Sequence, residues 1–136
     1  MRDHITKDDC AIQKSANIAV LLPCFNEEAS IADVVKGFRT ALPDARIFVY
    51  DNNSNDKTVE RAQSAGAIVR HEPRQDKGNV IRRMFADIEA DIYVMADGDT
   101  TYDAERAGEL VQMLQDQQLD MVVGTRDPVD AKAAYR

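Results

Sequence analysis

Two carboxylates stand one residue apart, at Asp97 and Asp99, directly after the mostly apolar run at residues 91–96. If that run is a buried strand of an open α/β sheet, the pair lies at the strand's carboxyl end, where such sheets bind ligands. Carboxylate oxygens at that place suit Mg²⁺ or Mn²⁺ held against the phosphates of a nucleotide. Because Asp-Gly also occurs in ordinary turns, the triplet taken alone leaves a simple turn as the alternative.

These carboxylates need a scaffold, and the chain alternates strand and helix patterns with short connections. Apolar runs predict five strands, at residues 18–23, 47–50, 67–70, 91–96 and 121–123. Apolar residues at helical spacing predict four helices, over about 31–42, 57–65, 80–88 and 104–114. The alternation predicts one mostly parallel α/β sheet with helices on both faces and no internal domain boundary.

Composition limits the class of protein and of partner. The 136 residues suffice for one domain, and 17 basic against 24 acidic residues give a net charge of −7, which argues against a nucleic-acid partner. The start of the chain is polar, and no apolar run approaches the ~20 residues that span a bilayer. We therefore expect a cytoplasmic protein. Cys10 and Cys24 match no disulfide framework or zinc pattern, and Cys24 is expected to be buried and not a nucleophile.

Polar side chains collect where the predicted strands end. They include Glu27, Asp51, Arg74, Lys77, Asp97, Asp99 and Arg126. Since parallel strands share one carboxyl edge, these groups are expected to meet there, with carboxylates for a base or ribose and cations or a metal for a diphosphate. The alternative for Arg74 and Lys77 is that they are solvated surface charges. The alternative for Arg126 is that it pairs with Asp127 or Asp130.

Several segments resemble, in order, the motifs of family 2 glycosyltransferases. Residues 23–28, PCFNEE, resemble the family's P-x-[YF]-N-E opening, and residues 51–58, DNNSNDKT, resemble its D-D-G-S-x-D-G-T segment. Residues 77–79, KGN, are similar to its G-K-G-N turn, and residues 97–99 stand at its D-x-D metal motif. Residues 124–126, GTR, resemble the G-S-R of polyprenyl-phosphate sugar transferases such as dolichyl-phosphate mannosyltransferase.

The resemblance implies a GT-A, Rossmann-like fold and inverting transfer of a sugar from a UDP or GDP donor. It divides the chain into a polar N-terminal tail (1–16), a nucleotide-sugar-binding core (17–126) and a C-terminal tail or cut-short loop (127–136). The later part of the usual fold is missing, so we expect only the donor-binding portion. The implied acceptor is a polyprenyl phosphate, and any membrane association would come through the missing part.

The resemblance also implies roles for individual residues. Nucleotide-sugar contacts are implied for Pro23, Phe25, Glu27, Asp51, Arg74, Lys77, Asp97 and Arg126. Within this set Asp51 would hydrogen-bond the base, and Asp99 would be the chief ligand of Mg²⁺ or Mn²⁺, with Asp97 beside it. A lipid phosphate is already anionic and needs no general base, so no catalytic base is assigned.

The sequence departs from the family pattern at three places. Asn52 replaces the second Asp of the family's pair, Asp76 replaces the Gly before the Lys, and Thr101 replaces a Gln that follows the metal motif. The alternative function is therefore a non-catalytic nucleotide-binding half-domain that needs a missing segment or self-associates through an open sheet edge. A sugar nucleotidyltransferase would require a Gly-rich, basic loop after the first strand, which residues 23–26 do not resemble.

Overall fold

The computed structural model describes residues 16–99 and 104–124. The strands among them are β1 (Ile18–Cys24), β2 (Arg46–Asp51), β3 (Ile68–His71) and β4 (Ile92–Met95). The helices are α1 (Ile31–Ala41), α2 (Thr58–Ser64), α3 (Lys77–Asp87) and α4 (Ala107–Asp116), and a 3₁₀ turn at Ala104–Arg106 precedes α4. These elements lie where the first four predicted strands and all four predicted helices were placed.

The sheet has the order β3-β2-β1-β4, and every neighbouring pair is parallel. This arrangement confirms the predicted parallel α/β sheet. From β1 the chain moves outward through β2 to β3, and it then returns to the other side of β1 with β4. The crevice between β1 and β4 is therefore the point where the direction of winding reverses, which is where open α/β sheets bind ligands.

Both faces of β1 are covered, which explains its continuous apolar sequence. One face packs against α1, α2 and α4 in a cluster that includes Val20, Leu22, Val35, Phe38, Ala62 and Val111. The other face packs against α3 in a smaller cluster of Ala19, Leu21, Phe48, Tyr50, Val80, Met84 and Ile88. Alternate residues of one strand thus serve two cores, and the central strand is held rigidly between them.

The prediction of a fifth strand at residues 121–123 is wrong. Residues 121–124 have no strand geometry, and Met121 and Val123 are 76% and 68% exposed. A short apolar run becomes a strand only where a neighbouring strand can satisfy its backbone N–H and C=O groups, and periodicity cannot reveal that partner. Within the described residues, β4 is consequently an edge of the sheet.

Candidate active site in the crevice between β1 and β4

The crevice begins where β1 and β4 stop sharing hydrogen bonds. In their last shared contact, Ala96 N donates to Leu21 O at 3.3 Å. The next contact on the same side of β1 would require an N–H from Pro23, and proline has none. On its other side β1 continues beside β2, where Asn52 N donates to Cys24 O at 2.9 Å. The two strands therefore part at Pro23, and the residues that follow β4 are left outside the sheet.

Those residues form an acidic loop (residues 97–99) that packs on the loop after β1. Gly98 is buried, and a Cβ atom there would lie 2.4 Å from Cys24 Sγ and 3.3 Å from Glu27 Cγ. Ser30 Oγ also donates to Gly98 O at 2.8 Å. Glycine is thus required by close approach to Cys24. The contact brings the carboxylates of the acidic loop toward Glu27.

The loop after β1 is in turn hydrogen-bonded to the loop after β2. Asn26 N donates to Ser54 Oγ at 2.8 Å, and Asn55 N donates to Asn26 Oδ1 at 2.8 Å. Glu27 N donates to Thr58 Oγ1, also at 2.8 Å. These cross-links make the ends of β1, β2 and β4 one connected rim around the crevice.

The rim is strongly acidic. Burial raises the pKa of the Cys24 thiol above its ordinary range, and the nearby charges of Glu27, Asp51, Asp97 and Asp99 raise that pKa further. The prediction that Cys24 is buried is confirmed, and its raised pKa keeps the thiol protonated. Partial burial and then the charges of Asp99 and Asp97 raise the pKa of Glu27 as well. The carboxylates of the rim thus repel one another, and a bound cation would relieve that repulsion.

The chemistry of this donor set fits a divalent cation bound together with a phosphate. Among residues 16–99 and 104–124, no group of three or more His, Cys, Asp or Glu side chains is arranged to hold a metal ion. Mg²⁺ in nucleotide sites is held by one or two carboxylates, and substrate phosphates and water complete its coordination. Asp99 and Asp97 would accordingly hold the ion with help from a diphosphate.

Lys77, the first residue of α3, reaches the acidic loop. Its Nζ atom lies 2.5 Å from Asp97 Oδ1, and the two side chains are 57% and 30% exposed. The structure therefore brings together two predicted site residues that are far apart in the sequence. The backbone of Arg74 contacts Asn52 and Glu72, and the Arg74 side chain is exposed.

Asp51 ends β2 and is only 3% exposed. Its Oδ2 atom accepts a hydrogen bond from Ser54 N at 3.2 Å and lies 3.6 Å from His71 Nδ1. Its Oδ1 atom is buried and has no hydrogen-bond partner among the described residues. A buried acceptor without a donor costs about 1–3 kcal/mol. This oxygen therefore calls for a donor from a ligand or a water molecule.

The sequence assigned no role to His71. It lies beside Asp51 because the parallel register pairs the last residue of β2 with the last residue of β3. A strand-end histidine facing a strand-end aspartate can be proposed only once the register is known. Phe25 is 47% exposed on the loop after β1, and Pro23 is buried at its start. Arg126 and Thr101 lie outside the described residues.

The structure explains why Asn52 stands where the family pattern has an aspartate. Asn52 is buried and its amide is fully engaged: Nδ2 donates to Glu72 O and Arg74 O, both at 2.8 Å. Its Oδ1 atom accepts from Asp76 N at 3.1 Å and from Gln75 Nε2 at 3.3 Å. A carboxylate would face two carbonyl oxygens. The amide thus fixes the loop between β3 and α3.

We expect Asn52→Asp to lower the free energy of unfolding by about 3 kcal/mol, because two buried donors are lost and a charge meets two carbonyl oxygens. Urea unfolding of both proteins at neutral pH measures the difference. Asn55→Asp is the matched control, since this side chain is exposed and its substitution should change stability by less than about 0.5 kcal/mol. Equal effects of the two substitutions would contradict the account of Asn52.

Asp76, the residue before α3, adopts φ 125° and ψ 132°. Glycine reaches this region freely, whereas a residue with a Cβ atom is strained there. The aspartate at this position is therefore held in a conformation that glycine would adopt without strain.

We expect Asp76→Gly to raise the free energy of unfolding by about 1 kcal/mol, the strain relieved less the extra entropy of glycine in the unfolded chain. Chemical denaturation measures the change. The control is Asp44→Gly in the exposed turn before β2, where φ is not positive and glycine should destabilise by about 0.5–1 kcal/mol. A loss of stability in Asp76→Gly would refute the strain.

The fold and the rim of acidic and amide groups define a class of nucleotide-sugar enzymes. The sequence matches the family model described as "Glycosyl transferase family 2" over residues 19–135, and the chain belongs to that family. Its parallel sheet with helices on both faces is the GT-A type of α/β fold.

Individual relatives are similar over most of this chain. It is 52% identical to Protein RfbJ of Shigella flexneri over 122 residues, which cover 90% of this chain and 95% of that protein. It is 32% identical to the low-salt glycan biosynthesis hexosyltransferase Agl6 of Haloferax volcanii, over 90% of this chain and 32% of that protein. The chain therefore spans nearly all of RfbJ but a minor part of Agl6.

Among solved structures, the chain resembles glucosyl-3-phosphoglycerate synthase from Mycobacterium tuberculosis in complex with Mn²⁺, UDP and glucosyl-3-phosphoglycerate. The TM-score is 0.65 at 28% identity, and the match covers 81% of this chain and 42% of that one. The same synthase was also crystallised with Mg²⁺ and UDP, with a TM-score of 0.63. These complexes are consistent with a divalent metal cofactor.

No helix within residues 16–99 and 104–124 is long and apolar enough to cross a membrane.

Proposed function

We propose that this chain binds a nucleoside diphosphate sugar together with Mg²⁺ or Mn²⁺ in the crevice between β1 and β4, as the donor site of an inverting glycosyltransferase. The observation that carries the proposal is the seating of the acidic loop on Cys24 and Glu27, at the point where β1 and β4 part. Two carboxylates beside the switch point of the sheet support a cation site there. The residues of core 17–126 form the donor-binding unit in this proposal.

The rim supplies a group for each part of such a donor. Asp51 faces the base and accepts an N–H through its unpartnered Oδ1 atom. Asp99 and Asp97 hold the cation against the diphosphate, and Lys77 adds positive charge at the same place. The remaining contacts follow the family resemblance: Pro23, Phe25 and Glu27 toward the nucleoside, Arg74 toward the base or phosphates, and Arg126 toward the diphosphate or an acceptor phosphate. A divalent cation supplies Lewis acidity toward the leaving diphosphate when bound.

The donor proposal is tested by calorimetric titration with UDP and with GDP, each with and without Mn²⁺. Binding of at least one nucleotide, strengthened by Mn²⁺, is the expected result. The solved synthase complexes contain UDP, which supports UDP as the first nucleotide to test. Absence of binding by both nucleotides in the presence of Mn²⁺ would refute the donor site.

The acceptor is proposed to carry a phosphate. A polyprenyl phosphate follows from the G-S-R resemblance at residues 124–126, and the synthase from M. tuberculosis was crystallised with phosphoglyceric acid. Both carry a phosphate, and in the polyprenyl phosphate its anionic oxygen can attack the anomeric carbon without a general base. A transfer assay with each acceptor and a radiolabelled donor separates them. A product that forms only from an uncharged sugar acceptor would overturn this part of the proposal.

The second candidate is a binding module without transfer activity. The observation in its favour is that, within the described residues, β4 is an unpaired edge of the sheet. Such a module would pair through the exposed edge of β4, where Tyr93 and Met95 are partly exposed, with a second copy or another segment. Nucleotide binding without turnover, together with a dimer in light scattering, would favour the module.

We further propose that the chain acts in the cytoplasm, where nucleotide sugars would be the available donors.

A further inference from the structure

The ion pair between Lys77 and Asp97 joins two elements that the sheet does not connect. Lys77 belongs to α3, and Asp97 belongs to the acidic loop after β4. Both side chains reach solvent, and exposed ion pairs contribute little to stability. The pair is therefore easily exchanged for other interactions. Because it lies inside the proposed donor site, the ligands of that site would supply those interactions.

Asp97 Oδ1 cannot keep its contact with the Lys77 ammonium group and also bind a divalent cation at full strength. The Lys77 Nζ atom contacts Asp97 Oδ1 directly, and this oxygen is one that a divalent cation would bind at a still shorter distance of about 2.0–2.1 Å. Two cations on one oxygen would also repel each other strongly. A carboxylate that gives this oxygen to a divalent cation must therefore release Lys77.

A phosphate in the donor site would give a released Lys77 a new partner. Its flexible four-carbon stem lets the ammonium group move, and ammonium groups are common phosphate ligands. Lys77 is a cation for which the structure describes a contact with a carboxylate of the acidic loop.

We propose that Lys77 is the exchangeable counterion of Asp97, which it holds until a nucleoside diphosphate arrives and then leaves for the phosphates. The proposal rests on the function proposed above. It makes Lys77 a positioning residue that couples the two ligands: nucleotide binding frees Asp97 for the cation, and by linkage the cation favours nucleotide binding by the same factor. The wild-type protein should then bind Mn²⁺ weakly when no nucleotide is present.

The test compares wild-type protein with Lys77→Met, using the electron paramagnetic resonance signal of free Mn²⁺ and calorimetry with UDP and GDP. We expect the variant to bind Mn²⁺ alone about tenfold more tightly and the nucleotide about tenfold more weakly. The gain in Mn²⁺ affinity produced by nucleotide should also fall by about tenfold. A residue that merely supports the fold would weaken both ligands together.

Two further variants make the comparison specific. Lys57→Met removes the same charge from the residue before α2. In the described part of the chain, the Lys57 side chain forms no ion pair with a site carboxylate. The Mn²⁺ affinity of this variant should therefore equal that of the wild type. Lys77→Arg keeps the cation and should also bind Mn²⁺ alone as the wild type does. Unchanged or weaker Mn²⁺ binding by Lys77→Met, including binding undetectable in both proteins, would overturn the counterion role. Loss of nucleotide binding by the wild-type protein would instead overturn the donor site.

Discussion

Replacing Asp99 with alanine is expected to remove the effect of Mn²⁺ on nucleotide binding. The variant should bind UDP, or whichever nucleotide the wild type prefers, with the same weak affinity whether or not Mn²⁺ is present. Losing a metal ligand should reduce Mn²⁺ affinity by at least about 100-fold, since disturbing even a residue behind a ligand costs about 10–100-fold. Paired titrations with and without Mn²⁺ measure the loss.

Asp44→Ala is the matched control for this experiment. Asp44 is an exposed carboxylate in the turn before β2, at the opposite edge of the sheet, so its removal changes the net charge equally without touching the site. It should leave the Mn²⁺ effect at its wild-type size. If Asp99→Ala still bound nucleotide more tightly with Mn²⁺, another residue would have to hold the cation.

The second large effect is expected from Gly98→Ala, which should remove most of the nucleotide affinity gained in the presence of Mn²⁺. The added methyl group would lie 2.4 Å from Cys24 Sγ, closer than nonbonded atoms approach, so the acidic loop must lift away from the loop after β1. Its carboxylates would then lose their position above the crevice. Calorimetry with nucleotide and Mn²⁺, and thermal unfolding of the same samples, measure the two consequences.

A compensating substitution tests the cause. Cys24→Ala removes the sulfur atom, and the nearest remaining atoms, Glu27 Cγ at 3.3 Å and Cys24 Cβ at 3.5 Å, can be accommodated by small shifts. The double variant should therefore recover most of the nucleotide affinity. Gly108→Ala in α4 is the control: its Cβ would meet Ala41 O at an ordinary 3.6 Å, and alanine should stabilise the helix by up to about 1 kcal/mol. Failure of Cys24→Ala to rescue Gly98→Ala would show that the sulfur contact is not the constraint.

Patterns of hydrophobic spacing were enough to predict most of the fold. The run at residues 18–23 became a central strand because both of its faces are covered, and the spacing of Val80 and Met84 placed one face of α3 on the sheet. The run at residues 121–123 has the same apolar character but no neighbouring strand among the described residues. Sequence patterns report which residues avoid water, and they do not report whether a partner strand exists.

The site was predictable as a set of residues and not as a set of contacts. The parallel sheet gathers strand ends at one edge, so Asp51 and the pair Asp97 and Asp99 could be grouped from the sequence. The pairing of Lys77 with Asp97, and of His71 with Asp51, depends on strand register and on the angle of α3. The buried amide of Asn52 shows the same limit, because its four partners lie twenty or more residues away.

The missing N–H of Pro23 keeps the crevice between β1 and β4 open. Parallel strands lengthen by adding hydrogen-bonded pairs one after another, and β1 and β4 have no donor for the next pair. The proline therefore ends the pairing of β1 with β4, and it prevents the residues after β4 from joining the sheet. A substitution such as Pro23→Val would supply that donor, and the sheet could then grow into the space reserved for the ligand.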